Sequence, residues 1–239
     1  MKTKLDENFI KQHTLMECLR AFDGANGDTE DQKIKSLEVP FEALAKKMIY
    51  GGYFEVSNNG NILYRIYIHT VEFYYHEEGN GDLKIRDWIV YHRNPINGNE
   101  DKPLFEIGTL HSHVSGIDIT FEGEHEDHYK YRGSALIRKF MVKEGNCEQF
   151  KEFPKPKDKT HPEIEEYPTH LYEYLFMKAP LSDIRVQWKE PESNKVPIQF
   201  PDVLSDVRFN VCNYKFENMR LEKLKGTQDK RKWSYARKE

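Results

Sequence analysis

Residues 64–75 read Tyr64-Arg65-Ile66-Tyr67-Ile68-His69-Thr70-Val71-Glu72-Phe73-Tyr74-Tyr75, a run of β-branched and aromatic side chains with a single carboxylate near its end. Such a composition predicts a strand that packs on at least one face. By the period-two rule Glu72 and Tyr74 share a face, so a carboxylate and a phenol project together. His69 takes the opposite face from Tyr74 in a regular strand, and a bulge would change that. Glu72 is the residue that needs a reason: a carboxylate that partners Arg65 or Arg138 at a solvated edge, or a general base beside an aromatic pocket that holds a water for attack.

Upstream, residues 59–60 are Asn59-Gly60, the pair that supplies positive φ to a tight hairpin, so 52–56 and 62–75 read as its two strands. Apolar residues at Phe9, Ile10, Leu15, Met16, Leu19 and Phe22 predict a first helix over 6–22, stopped by the segment GANGDTED. Phe41, Leu44, Ala45, Met48 and Ile49 predict a second, opened by Pro40 and ended by Gly51-Gly52. Downstream, 84–92, 103–113, 116–122 and 134–142 read as strands. Residues 151–168, rich in Lys, Glu and Pro, read as an exposed excursion, and 169–178 as a buried helix. Segments 183–190, 196–200 and 206–216 alternate like strands. The expected fold is one α+β domain over residues 1–239, with a curved, mostly antiparallel sheet, flanking helices and an N-terminal helical extension over 1–39.

The whole chain of 239 residues is 38% apolar and 13% aromatic, enough for a core. No run approaches the roughly 18 apolar residues of a membrane span, and the first residues lack the apolar centre of a signal peptide. Three scattered cysteines, Cys18, Cys147 and Cys212, argue against a disulfide framework. The expected setting is the cytoplasm and the expected state a monomer. A net charge of −4 argues against indiscriminate nucleic-acid binding. Residues 214–239 nevertheless hold nine basic and four acidic residues, which reads as a solvated tail or a surface for a polyanion.

The segment from 111 to 128 carries His111, His113, Asp118, His125, Asp127 and His128. His111 and His113 share a strand face, and with Asp118 they could hold Zn²⁺ or Fe²⁺ for a hydrolytic reaction, although the helical HExxH pattern is absent. Trp88, Trp188 and Trp233 read as core or rim aromatics.

The order of FEALAKKMIYGG, a hairpin, RIYIHTVEFYY, DWIVYHRN, GTLHSHVSG and ALIRKF resembles the alkyladenine (3-methyladenine) DNA glycosylase family over residues 41–140. The resemblance implies that Glu72 is the acid that activates water, that Tyr74 stacks on an extruded base and that His92 lies against it. His113 replaces a second stacking tyrosine, His111 a tyrosine earlier in that strand, and Arg138 sits near the catalytic acid. It further implies hydrolysis of the N-glycosyl bond of a modified purine in DNA, a nucleotide or a nucleoside, with no metal and no cofactor. Where the family inserts a bulky wedge into the minor groove, this chain has Ser115 or Gly116, and neither can fill the space of a flipped base. Glu122 and Gly123 stand near the family's pocket asparagine, and acids at 118, 122, 124, 126 and 127 would repel a DNA backbone. A protein that keeps the fold for binding alone is the third possibility.

Overall fold

The hairpin predicted at Asn59-Gly60 is present and joins the first two strands of the sheet. In the computed structural model, which describes residues 5–79, 83–95, 101–125, 129–154, 160–177, 184–191, 200–209, 211–217 and 220–238, Asn59 and Gly60 take φ of 48° and 79°. Both central residues of the turn are thus in the left-handed region, which matches the twist of the strands it joins. Those strands are β1 (Tyr53–Asn58) and the long β2 (Asn61–Glu77).

Before them come three helices, α1 (Glu7–Gln12), α2 (Leu15–Arg20) and α3 (Glu30–Tyr50). The single helix expected over 6–22 is two, because Thr14 and Glu17 close a capping box that starts α2 afresh after an extended His13. The second helix begins ten residues before Pro40, at the Thr29 cap, with Glu30 and Asp31 in its first turn. Pro40 is carried inside it because the buried stripe runs through: Leu37, Phe41, Leu44 and Met48 are all fully buried. Within 5–39, Ile10, Leu15, Leu19, Phe22 and Leu37 belong to the same core as the sheet.

The remaining strands are β3 (Leu110–His113), β4 (Gly116–Thr120), β5 (Gly123–Glu124), β6 (Lys130–Glu144), β7 (Ile184–Lys189), β8 (Val203–Asp206), β9 (Cys212–Glu217), β10 (Arg220–Gln228) and β11 (Ser234–Arg237). The main sheet runs β3-β4-β6-β2-β1-β7, with β11 beside the second half of β2 and β8 beside β11, every pairing antiparallel. β9 and β10 form a separate ribbon. The fold is an α+β arrangement with one open, antiparallel sheet and few helices. No described helix is long and apolar enough to cross a membrane.

The β2–β6 ladder holds the key irregularity. Its register slips between Ile68 and Thr70 and slips back at Val71, so His69 on β2 and Arg138 on β6 each stand as an extra residue. Core side chains are Ile66 and Ile68 before this point and Val71, Phe73 and Tyr75 after it. On β6 they are Val142 and Phe140, then Ile137 and Ala135. Both strands thus exchange even for odd positions together. With unbroken alternation from Ile66, Glu72 and Tyr74 would have faced α3. Instead Phe73 faces it, stacked on Phe41 at 4.5 Å, and Glu72 looks to the other side.

Other expectations change. Residues 84–92 form turns rather than a strand, and 103–109 join no ladder. A fully buried cation stands at the start of the second segment: Arg132 on β6 donates to Glu78 (3.0 Å), Glu122 (2.9 Å), Asn94 Oδ1 (3.3 Å) and the carbonyls of Lys102 (2.7 Å) and Pro103 (2.8 Å). Carbonyls that satisfy a guanidinium leave the extended ladder pattern. In 151–168, Phe153, Ile164 and Glu165 are buried and Glu165 bridges to Phe140, while 155–159 lie outside the described residues. The helix expected over 169–178 is present as far as 177 and buries Leu171, Tyr174 and Leu175, but it is irregular, a 3-10 turn, Pro168–His170, that runs into a π-helical turn, Glu173–Met177. Of the expected strand 196–200, only Phe200 is described, and it is buried. The basic C-terminal stretch is no frayed tail either: Trp233 is 1% exposed and β11 pairs directly with β2. All three cysteines are free.

Arg132→Met would leave Glu78 and Glu122 buried without their cation. A loss of roughly 3–5 kcal/mol is expected for removing one partner of such a network, read as a lower urea midpoint than the parent protein.

Candidate active site

Residues directly opposite one another in a sheet project to the same face. Ser234 pairs with Glu72, Glu72 with Leu136, Leu136 with Asp118 and Asp118 with His111, so one row of side chains crosses β11, β2, β6, β4 and β3. On the face away from α3, Leu136 and Asp118 of this row line a cavity of about 290 Å³ whose walls include Tyr74, Tyr91, His113, Arg138 and Phe209; Glu72 does not line it and reaches it only through its contacts with Tyr74, Arg138 and Phe209. Strand positions supply its floor. Residues 89–91, Phe209, Val211 and Tyr214 supply the rest of its walls.

A second buried arginine holds those walls. Arg208 donates to Asp87 (2.5 Å), Asp229 (2.6 Å) and the carbonyl of Phe73 (3.3 Å), and lies over the rings of Tyr74 and Trp233. Burial alone would lower its pKa, but Asp87 and Asp229 outweigh that and raise it, so the charge is permanent. It sets Phe209 against the sheet, where the Phe209 N–H donates to Glu72 Oε1 at 2.7 Å.

Glu72 is 1% exposed. Its Oε2 accepts from the Tyr74 hydroxyl at 3.0 Å and lies 3.5 Å from Arg138 Nε. A carboxylate offers about four acceptor positions, so these two hydrogen bonds leave room for the guanidinium and for a water or a ligand. The Tyr74 phenol is pushed well above its ordinary pKa by burial and then by the Glu72 charge, and remains a donor.

Asp118 is bound differently. Its Oδ2 accepts from the Ser134 hydroxyl at 3.1 Å, while Oδ1 lies 3.2 Å from His113 Nε2 at an angle too poor for a hydrogen bond. The Ser115 N–H donates to His113 Nδ1 at 3.2 Å, which assigns the ring proton to Nε2. Tyr91 stacks on His113 at 4.1 Å and its hydroxyl meets Ser115 Oγ at 2.9 Å. The hairpin tip is held from behind: Gly116 has φ 142°, and a Cβ there would stand 3.0 Å from both Leu136 and Pro168.

Of the residues singled out in the sequence, Tyr74, His113, Arg138 and Asp118 line the cavity, Glu72 contacts Tyr74 and Arg138 without lining it, and His92 and His111 do not join them. His92 is 5% exposed, abuts Glu122 and packs edge-on against His111 (5.3 Å) and Phe105 (5.5 Å). Burial and then neighbouring His92 depress the basicity of His111. The residue of the YHRN segment that enters the cavity is Tyr91, one position earlier. Among the described residues no three of His, Cys, Asp and Glu converge on one metal position. His125 stacks on Tyr129 at 4.8 Å, and Asp127 and His128 lie outside the described residues. The wall residues Phe209, Ser134 and Tyr214 carried no sequence signal, since each sits in a stretch that reads as ordinary strand.

Beneath the site, His76 is held at a pKa of about 3, first by burial and then by Arg86 and Arg93. From pH 6.5 downward the unfolded chain binds this proton and the folded chain does not, so stability is lost as the pH falls toward 3. The loss approaches about 1.4 kcal/mol per pH unit. Denaturant melts at pH 6.5 and 5 are expected to differ less for His76→Gln than for the parent. No protein-family model, curated protein or solved structure matches this chain.

Proposed function

We propose that the cavity receives a purine ring and that the protein hydrolyses the N-glycosyl bond of a purine nucleoside or nucleotide, with Glu72 activating the water, as the resemblance to alkyladenine DNA glycosylases implies. The observation that carries this reading is Glu72 itself, a buried carboxylate hydrogen-bonded to Tyr74 and Phe209 and ion-paired with Arg138, three residues that all line an aromatic-walled cavity. The size suits a base: about 290 Å³ is at the small end of ligand pockets. Tyr91 stacked on His113 offers one flat wall, and Phe209 and Tyr74 offer others, the geometry that flat heterocycles favour.

In the reaction the C–N bond breaks with its electron pair on the departing base, and positive charge grows on the sugar. The Glu72 carboxylate favours that charge electrostatically and accepts a proton from the attacking water. Arg138, 3.5 Å from Glu72 and over the Phe209 ring, keeps the carboxylate oriented. The hairpin tip favours small substrates over duplex DNA. Ser115 is tied to Tyr91 and Gly116 is pressed on Pro168, so neither projects as a wedge.

The test is base release from inosine, from N7-methylguanosine and from hypoxanthine-containing and alkylated DNA, with and without EDTA. Metal-independent release that falls at least about 100-fold in Glu72→Gln is expected. Release unchanged by that substitution, or abolished by EDTA, would contradict the proposal.

A further inference from the structure

Asp118 has no part in the reaction as drawn so far, yet it stands on the same row of the sheet as Glu72. Leu136 pairs with both residues, so their Cα atoms lie two strands apart, about 10 Å by ladder geometry, on one face. Both carboxyls are buried, Asp118 lining the cavity and Glu72 bonded to the lining residues Tyr74 and Phe209, and their oxygens differ in use. Glu72 has donors on both oxygens. Asp118 has Oδ2 fixed by Ser134 and Oδ1 without a hydrogen bond, although that atom is buried. A buried oxygen left unbonded costs free energy in the folded protein, and such a cost is retained at sites with a use for the atom. Protonation of Oδ1 would turn it into a donor.

We propose that Asp118 is the proton donor to the departing base, with Ser134 and His113 as its positioning residues; this rests on the N-glycosylase reading above. Two carboxyls on opposite sides of a scissile bond, one acting on water and one on the leaving group, is the arrangement that O-glycoside hydrolysis uses. The step balances as follows. The C–N electron pair goes to a ring nitrogen of the base, which takes the Asp118 proton. The water oxygen bonds to the sugar carbon and its proton goes to Glu72. One proton moving through solvent from Glu72 to Asp118 restores the starting state. Ser134 holds Oδ2, and the His113 ring, fixed by the Ser115 N–H, sits 3.2 Å from Oδ1 and limits where the acid can point.

A leaving group that already carries positive charge needs no such proton. Asp118→Asn is therefore expected to lower release of hypoxanthine from inosine by about 100-fold or more, while release of N7-methylguanine from N7-methylguanosine changes by less than about threefold. Ser134→Ala is expected to show the same selectivity at smaller size, and guards against a folding defect in the first variant, which thermal melting would also report. Equal losses on the two substrates, or no loss on either, would overturn the role of Asp118 and leave the glycosylase reading standing. Failure of the parent protein to release either base would overturn the glycosylase reading itself, and this inference with it.

Discussion

Tyr64–Glu77 of β2 runs antiparallel to Tyr131–Glu144 of β6, and where this ladder slips at His69 and Arg138 the inward set of side chains changes parity in both strands at once. Everything on the far face follows from that exchange. Ile66 and Ile68 close the core under α3 in the first half, and Val71, Phe73 and Tyr75 do so in the second. Only because of the slip do Glu72, Tyr74, Ser134 and Leu136 come out on the face away from α3. The bulged Arg138 itself falls within reach of Glu72, which places a cation beside the carboxylate without any loop to carry it. A bulge of this kind re-aims side chains at a cost in ladder hydrogen bonds, a cost met where a strand must serve two faces.

Two buried guanidinium groups then anchor chain segments to the sheet. Removing a charge from water is expensive, and the expense is offset when donors find acceptors. Arg132 does so with two carboxylates, an amide oxygen and two carbonyls, and holds Asn94 and 102–103 against β6. Arg208 bonds Asp87, Asp229 and the Phe73 carbonyl, with its Nε buried and unbonded, and draws 207–209 and the turn after His76 over the sheet. The cavity lies between the sheet and the segments that Arg208 anchors. Its walls are therefore held by long-range ionic contacts, and its floor by the ladder.

The parts of the molecule set by short-range rules could be read from the residues. Asn59-Gly60 dictated the hairpin, and Glu72 and Tyr74 shared a face because the strand beyond the bulge is regular. What escaped depended on distant partners. Helix α3 runs through Pro40 because a buried stripe on both sides outweighs the local penalty, so a proline that reads as a start stands in mid-helix. Residues 84–92 have strand-like composition, but Asp87 is drawn to Arg208 and Asn94 to Arg132, and the chain turns instead. Charge made 230–238 look like a solvated end, whereas Trp233 and Tyr235 pack into the core and bring β11 beside Glu72. Tyr91 and His92 are neighbours in sequence, and only the turn geometry decides which enters the cavity. Asp118 stood in the sequence as a metal ligand, and its pairing with Leu136 was hidden because register between strands is not written in either strand alone.

The proposed function requires that the cavity over Leu136 and Asp118 takes a flat base, and a crystal structure of the protein soaked with hypoxanthine tests it most directly. The account predicts the ring between the Tyr91–His113 wall and Phe209, with Glu72 and Asp118 at its edges. A ring bound anywhere else, or none at a saturating concentration, would contradict it.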